Sequence, residues 1–89
     1  MTSEQIEALR RFGREAVLAL AQRIVDNADE IVGLAGYRAS TLGELEYGDA
    51  SYHKGVEHLE REIDEELADA VFYQHIILWQ QANAQTLAE

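Results

Sequence analysis

The stretch VEHLEREIDEELADAVFYQHIILW, residues 56–79, decides the fold because its character changes partway along. Apolar residues recur through it at the spacing of an α-helix, which predicts one long helix from about residue 52 to 84. Up to Asp69 one side of this helix is acidic, and beyond Asp69 the helix is apolar nearly all round. A helix that is apolar nearly all round must be buried on more than one side.

Two stripes describe the change on a helical wheel. The main apolar stripe contains Val56, Leu59, Ile63, Leu67 and Ala70, and Ile77 and Leu78 continue it. A second stripe contains His58, Glu62, Glu65 and Asp69, and it continues as Phe72 and Ile76. One hairpin partner would cover only one of these stripes, so we expect a further chain to cover the other.

The chain before this stretch predicts a first helix over about 3–33, in which Thr2 and Gln5 fit a capping box. Its apolar face contains Ile6, Leu9, Ala16, Val17, Leu20, Ile24, Ala28 and Ile31. Gly13 lies on that face, where a close approach by another helix, a slight bend and simple drift are open interpretations. A connection over about 34–53 follows, and a frayed tail is expected at 85–89.

These elements predict an all-α fold of one domain. Two long antiparallel helices joined by a long loop would assemble into an oligomeric helical bundle, most simply a homo-oligomer. The expected oligomer interface contains Phe72, Ile76 and Trp79.

Composition supports the need for a partner. The chain has 89 residues and no cysteine, so disulfides are excluded, and metal or association remains as a means of stabilising so small a domain. The first residues lack the features of a signal peptide, and no apolar run is long enough to span a bilayer. We therefore expect a cytoplasmic protein that does not enter membranes.

Net charge is −10, and residues 44–69 hold ten acids against two bases. Such a field repels nucleic acid and anionic membranes, and it attracts cations or a basic protein surface. We therefore expect no direct nucleic-acid binding.

The acidic side of the second helix is a candidate metal site. Glu62, Glu65, Glu66 and Asp69 are three, four or seven residues apart, and each exposed like-charge pair on a helix costs roughly 0.2–0.5 kcal/mol. Mg²⁺ or Mn²⁺ would remove this repulsion, since hard cations prefer oxygen ligands. Spacing alone favours the alternative, which is a solvated acidic face.

Other chemistries lack their motifs. No histidine follows a glutamate at Glu-x-x-His spacing, which argues against a di-iron bundle. With no cysteine and scattered histidines, a zinc site of the His/Cys kind is not expected. His58 is interpreted as a surface residue or a group behind the metal ligands, and His75 as an interface residue.

The segment Glu62-Ile-Asp-Glu-Glu-Leu-Ala-Asp-Ala-Val-Phe-Tyr73 resembles the second metal-binding helix of the all-α NTP pyrophosphohydrolases of the MazG type. Glu66 and Asp69 match that helix's Glu-x-x-Asp pair. Glu46-Tyr-Gly-Asp49 is similar to the segment before the helix in small MazG-like proteins of phages and actinobacteria. The resemblance covers residues 44–79.

The resemblance implies a nucleoside triphosphate substrate and Mg²⁺, which would bind the triphosphate and activate water for attack at the α–β phosphoanhydride. Arg38 and Lys54 would neutralise phosphate charge, unless they are ordinary solvated cations. The family's Glu-Glu-x-x-Glu on a preceding helix is absent here. Glu62 and Glu65 would replace it, a second chain would supply it, or the site is degenerate and the protein is not an enzyme.

The alternative function is a non-enzymatic, acidic, homo-oligomeric interaction protein. A phage-encoded binder of a basic host protein is one form of it. This interpretation rests on the small size, the net charge and the excess of apolar residues on the second helix.

Overall fold

A computed structural model describes residues 1–43 and 50–88, and it describes side chains over 1–41 and 52–84. Within these ranges the chain is helical and contains no strand, which confirms the all-α class. Helix α1 spans Ser3–Asp26, α2 spans Ala28–Arg38 and α3 spans Val56–Ala88. A π-helical turn at Ala39–Gly43 and a 3₁₀ turn at Ala50–His53 lie between α2 and α3.

The predicted capping box at the start of α1 is confirmed. The Gln5 backbone N–H donates to Thr2 Oγ1 at 3.1 Å, and the Thr2 N–H donates to Gln5 Oε1 at 2.8 Å. Both hydrogen bonds satisfy groups that a helix start otherwise leaves unpaired. The first turn of α1 is therefore held by its own sequence.

The first helix differs from its predicted bounds of about 3–33. It is divided at Asn27, which separates α1 from α2, and α2 continues past Gly33 to Arg38. Asn27 Nδ2 donates to the Arg23 carbonyl at 2.8 Å, alongside the Asn27 backbone N–H at 3.0 Å. The asparagine side chain thus competes for a helical acceptor, which is a property that makes this residue common at helix ends.

The end of α2 is bound by local hydroxyl groups. Ser40 Oγ and Thr41 Oγ1 donate to the Tyr37 carbonyl at 3.1 and 2.6 Å. The Glu46–Asp49 segment of the family resemblance falls outside the described residues.

Helix α3 begins later than predicted, at Val56, with Gly55 directly before it. The Leu59 N–H donates to the Gly55 carbonyl at 3.0 Å and closes the first turn. At the other end the helix extends to Ala88, so it includes most of the segment that we expected to fray.

Helix–helix packing is concentrated between α1 and α3. Half-buried residues of α1 lie at the spacing of one helical face, and Ala16 in their middle is completely buried. Every side chain of α2 is exposed. A Cβ built on Gly13 would meet only Leu9 of its own helix, at 3.7 Å, so no other described helix approaches this glycine closely.

The main apolar stripe of α3 is less covered than a hairpin core would be. Ile63 is 57% exposed and Leu67 is 42% exposed, although both were expected to face the core. Within the described residues, no helix is long and apolar enough to cross a membrane.

Candidate functional site

The four carboxylates of the candidate metal site all lie on α3, within its first fourteen residues. They are Glu62, Glu65, Glu66 and Asp69. Only Glu62 is half-buried, and the other three are exposed. A single helix therefore carries the whole predicted ligand set, and its acidic side lies largely open to solvent.

Glu62 is already bound by two neighbours. Lys54 Nζ donates to its two carboxylate oxygens at 3.1 and 3.3 Å, and His58 Nε2 lies 3.0 Å from Oε1. These hydrogen bonds, Lys54 first and His58 second, hold the pKa of the Glu62 carboxyl below its ordinary value. A carboxylate in this arrangement has less need of a metal cation to offset its charge.

The pairing also affects the predicted phosphate-binding cations. Lys54 lies just before α3 and reaches over the first two turns of that helix to Glu62. Its ammonium group is therefore already paired with a carboxylate. Arg38 lies in the last turn of α2, is exposed and forms no ion pair with a described residue. Of the two, Arg38 alone is available to an anion.

The other three carboxylates have no hydrogen bond or ion pair with a described residue. They are Glu65, Glu66 and Asp69. Across residues 1–43 and 50–88, no group of three or more histidine, aspartate or glutamate side chains is arranged to hold a metal ion. The carboxylates within these ranges therefore do not converge as a Mg²⁺ site in one chain, because a cation of this kind needs several oxygen ligands at once.

The residues predicted at the oligomer interface occupy two environments. Phe72 and Ile76 are half-buried and line a cavity of about 750 Å³, together with Gln5 and Ala8 of α1. Trp79 also lines this cavity and is 53% exposed. Phe72 and Ile76 thus face the start of the chain's own first helix, and the most exposed apolar residues lie elsewhere.

Sequence reasoning missed the contact between Lys54 and Glu62. The four-residue spacing of His58 and Glu62 would have indicated their contact, because such residues are neighbours on a helix. The eight-residue spacing of Lys54 and Glu62 gives no such signal, since it depends on the path of the chain before the helix begins.

Comparisons with protein-family models, curated proteins and solved structures found no match to this chain. The resemblance of residues 62–73 to the metal-binding helix of MazG-type enzymes therefore stays a prediction.

Proposed function

We propose that this chain is a non-enzymatic interaction protein that self-associates through apolar helix surfaces and presents an acidic face to a basic protein. Its exposed apolar surface carries the proposal. Eighteen large apolar or aromatic side chains among the described residues are exposed, from 38% at Ile6 and Ile77 to 90% at Tyr52. Single exposed apolar residues are ordinary, but eighteen of them in a chain of 89 residues favour a surface that a partner covers.

The accessible surface area of the chain also supports self-association. The single chain has 7781 Å² of accessible surface, whereas a compact monomer of its mass has roughly 5,200 Å². Its radius of gyration is 16.7 Å, against about 12 Å for a compact domain of this length. The excess of roughly 2,500 Å² is well above the 800 Å² or so per partner that a stable interface buries.

The acidic face is the proposed surface for the basic partner. Glu65, Glu66 and Asp69 are exposed and unpaired among the described residues, so their charge acts on the surroundings. Complementary charge raises association rates and selects partners, and salt weakens it.

Sedimentation equilibrium over a wide range of protein concentrations tests self-association. We expect a dimer or larger assembly at micromolar concentration. A well-folded monomer throughout that range would overturn the proposal. For the acidic face, a lysine-rich peptide of defined sequence should bind at low ionic strength and be released by salt. Absence of binding would overturn the proposal that this face binds a basic protein.

The second candidate is a MazG-like, metal-dependent NTP pyrophosphohydrolase whose site is completed between two copies. One observation favours it: Glu65, Glu66 and Asp69 have no protein partner among the described residues, so they remain available as ligands. The described residues of one chain do not bring enough carboxylates together, and in this candidate a second copy supplies the remaining oxygen atoms.

Calorimetric titration with Mn²⁺ and with Mg²⁺ tests this candidate. Binding in the native chain that disappears in Glu66→Gln with Asp69→Asn would support it. Absence of binding, or equal binding by the double variant, would end it.

A further inference from the structure

We infer that two copies meet by placing an apolar stripe of α1 on an apolar stripe of the other copy's α3, with arginines beside the first meeting acids beside the second. The inference rests on the proposed self-association and states which surfaces perform it. The occupant of each stripe is a second copy of this chain.

The α1 stripe contains Ile6, Val17 and Ile24. On a wheel of roughly 100° per residue these three fall within about 20° of one another and lie about 90° from buried Ala16. Their exposures are 38, 47 and 40%. The stripe is therefore next to the face that packs on the chain's own α3. That helix covers the stripe only in part.

The α3 stripe contains Val56, Ile63, Leu67 and Ile77, which fall within about 80° on the same kind of wheel. Their exposures are 70, 57, 42 and 38%. At 1.5 Å per residue the α3 stripe is about 32 Å long and the α1 stripe about 27 Å long, so the two match in length.

Charge decides which stripe meets which. Arg10 and Arg14 lie beside the α1 stripe, on the side away from Ala16, and Glu60 and Glu66 lie on either side of the α3 stripe. All four are exposed, and none has an ion pair with a described residue. A contact of α1 with α1 would bring arginines together, and a contact of α3 with α3 would bring glutamates together. Only a contact of α1 with α3 brings opposite charges together.

Symmetry allows the arrangement to close. Each copy carries both stripes, so a two-fold axis makes two equal contacts, α1 to α3 and α3 to α1. The result is a four-helix assembly formed by the α1 and α3 helices of two chains.

Charge reversal with mixing tests the inference. One variant carries Arg10→Glu with Arg14→Glu, and the other carries Glu60→Arg with Glu66→Arg. Each variant alone places like charges in both contacts, so its dimer dissociation constant at low salt should rise roughly tenfold or more. An equal mixture restores opposite charges in both contacts, so we expect it to assemble as tightly as the native chain.

The mixture separates the inference from other arrangements. If the arginines bind acids of their own chain, both variants lose thermal stability and mixing restores nothing. If α1 meets α1, the arginine variant exchanges one like-charge pair for another, so it assembles as the native chain does and more tightly when mixed with the native chain. If α3 meets α3, the glutamate variant behaves in that way. Any of these three results overturns the inference.

Two controls complete the experiment. Arg11→Glu and Glu65→Arg are single charge reversals of the same kind placed away from both stripes, and they should leave assembly within about twofold of native. Should the native chain be a monomer, the proposed function fails. Should the native chain assemble while both double variants remain unaffected, the inference alone fails.

Discussion

The two halves of α3 are one continuous helix with opposite chemistry. The acidic half, residues 56–69, carries seven acids and one arginine, and the uncharged half, residues 70–88, carries no Asp, Glu, Lys or Arg. Only Leu59 and Glu62 are half-buried in the acidic half. The uncharged half has seven such residues among those with described side chains.

The difference shows where this chain obtains its own packing. The uncharged half lies beside the start of α1 and shares a cavity wall with it, whereas the acidic half has apolar residues at helical spacing that its own chain leaves exposed. The first arrangement stabilises the monomer. The second provides most of the α3 stripe on which we propose that another copy packs, and Ile77 of the uncharged half completes that stripe.

The largest expected effect is at Phe72 in the uncharged half. Phe72→Ala removes a half-buried ring from the contact with α1 and should lower the free energy of unfolding by about 2 kcal/mol, since complete burial is worth roughly 3–5. Tyr73→Ala is the matched control, because Tyr73 is 65% exposed and its ring lies 5.9 Å from that of Phe72. Both variants lose the ring pair, so urea denaturation at fixed protein concentration isolates burial. Equal losses would contradict the packing of Phe72 against α1.

A smaller effect is expected at the helix start that the uncharged half packs on. Thr2→Ala removes the hydroxyl of the capping box and should cost about 1 kcal/mol of unfolding free energy. Ser3→Ala, one position later and outside the box, should cost much less in the same denaturation experiment. A native-like Thr2→Ala variant would show that the start of α1 is held by packing rather than by its cap.

The smallest expected effect is a change in the pKa of Glu62, in the acidic half. Its pKa is lowered in the folded chain, so the contact contributes at neutral pH and is lost as pH falls through that lowered pKa. Carboxyl NMR titration should show a higher Glu62 pKa in Lys54→Met and a smaller rise in His58→Gln, because Lys54 is the larger cause. An unchanged pKa in Lys54→Met would show that the lysine does not hold this carboxylate in solution.

Local patterns predicted part of this structure. The all-α class and the capping box follow from spacing and from residue types that act within one turn. The break at Asn27 was missed because the apolar pattern continues on both sides of it. The Asn27 side chain donates to the Arg23 carbonyl at the break, and this hydrogen bond leaves no signal in the apolar pattern.

The surroundings of the candidate sites were harder to predict. Helical spacing places the four candidate metal-binding carboxylates on one helix, but it does not show that Lys54 forms an ion pair with Glu62. It also assigned Phe72 and Ile76 to an oligomer interface, which stays a prediction; within one chain they line a cavity beside the first residues of α1. A wheel orders the faces of one helix and does not state which neighbour each face meets.

The division at Asn27 has a consequence for how the chain can be altered. Because no side chain of α2 is even half-buried, residues 28–38 add almost nothing to the contact of α1 with α3. We therefore expect that exchanging this helix for another of equal length, or for a reporter sequence, would keep the contact of α1 with α3. Asn27 is therefore the natural boundary for grafting.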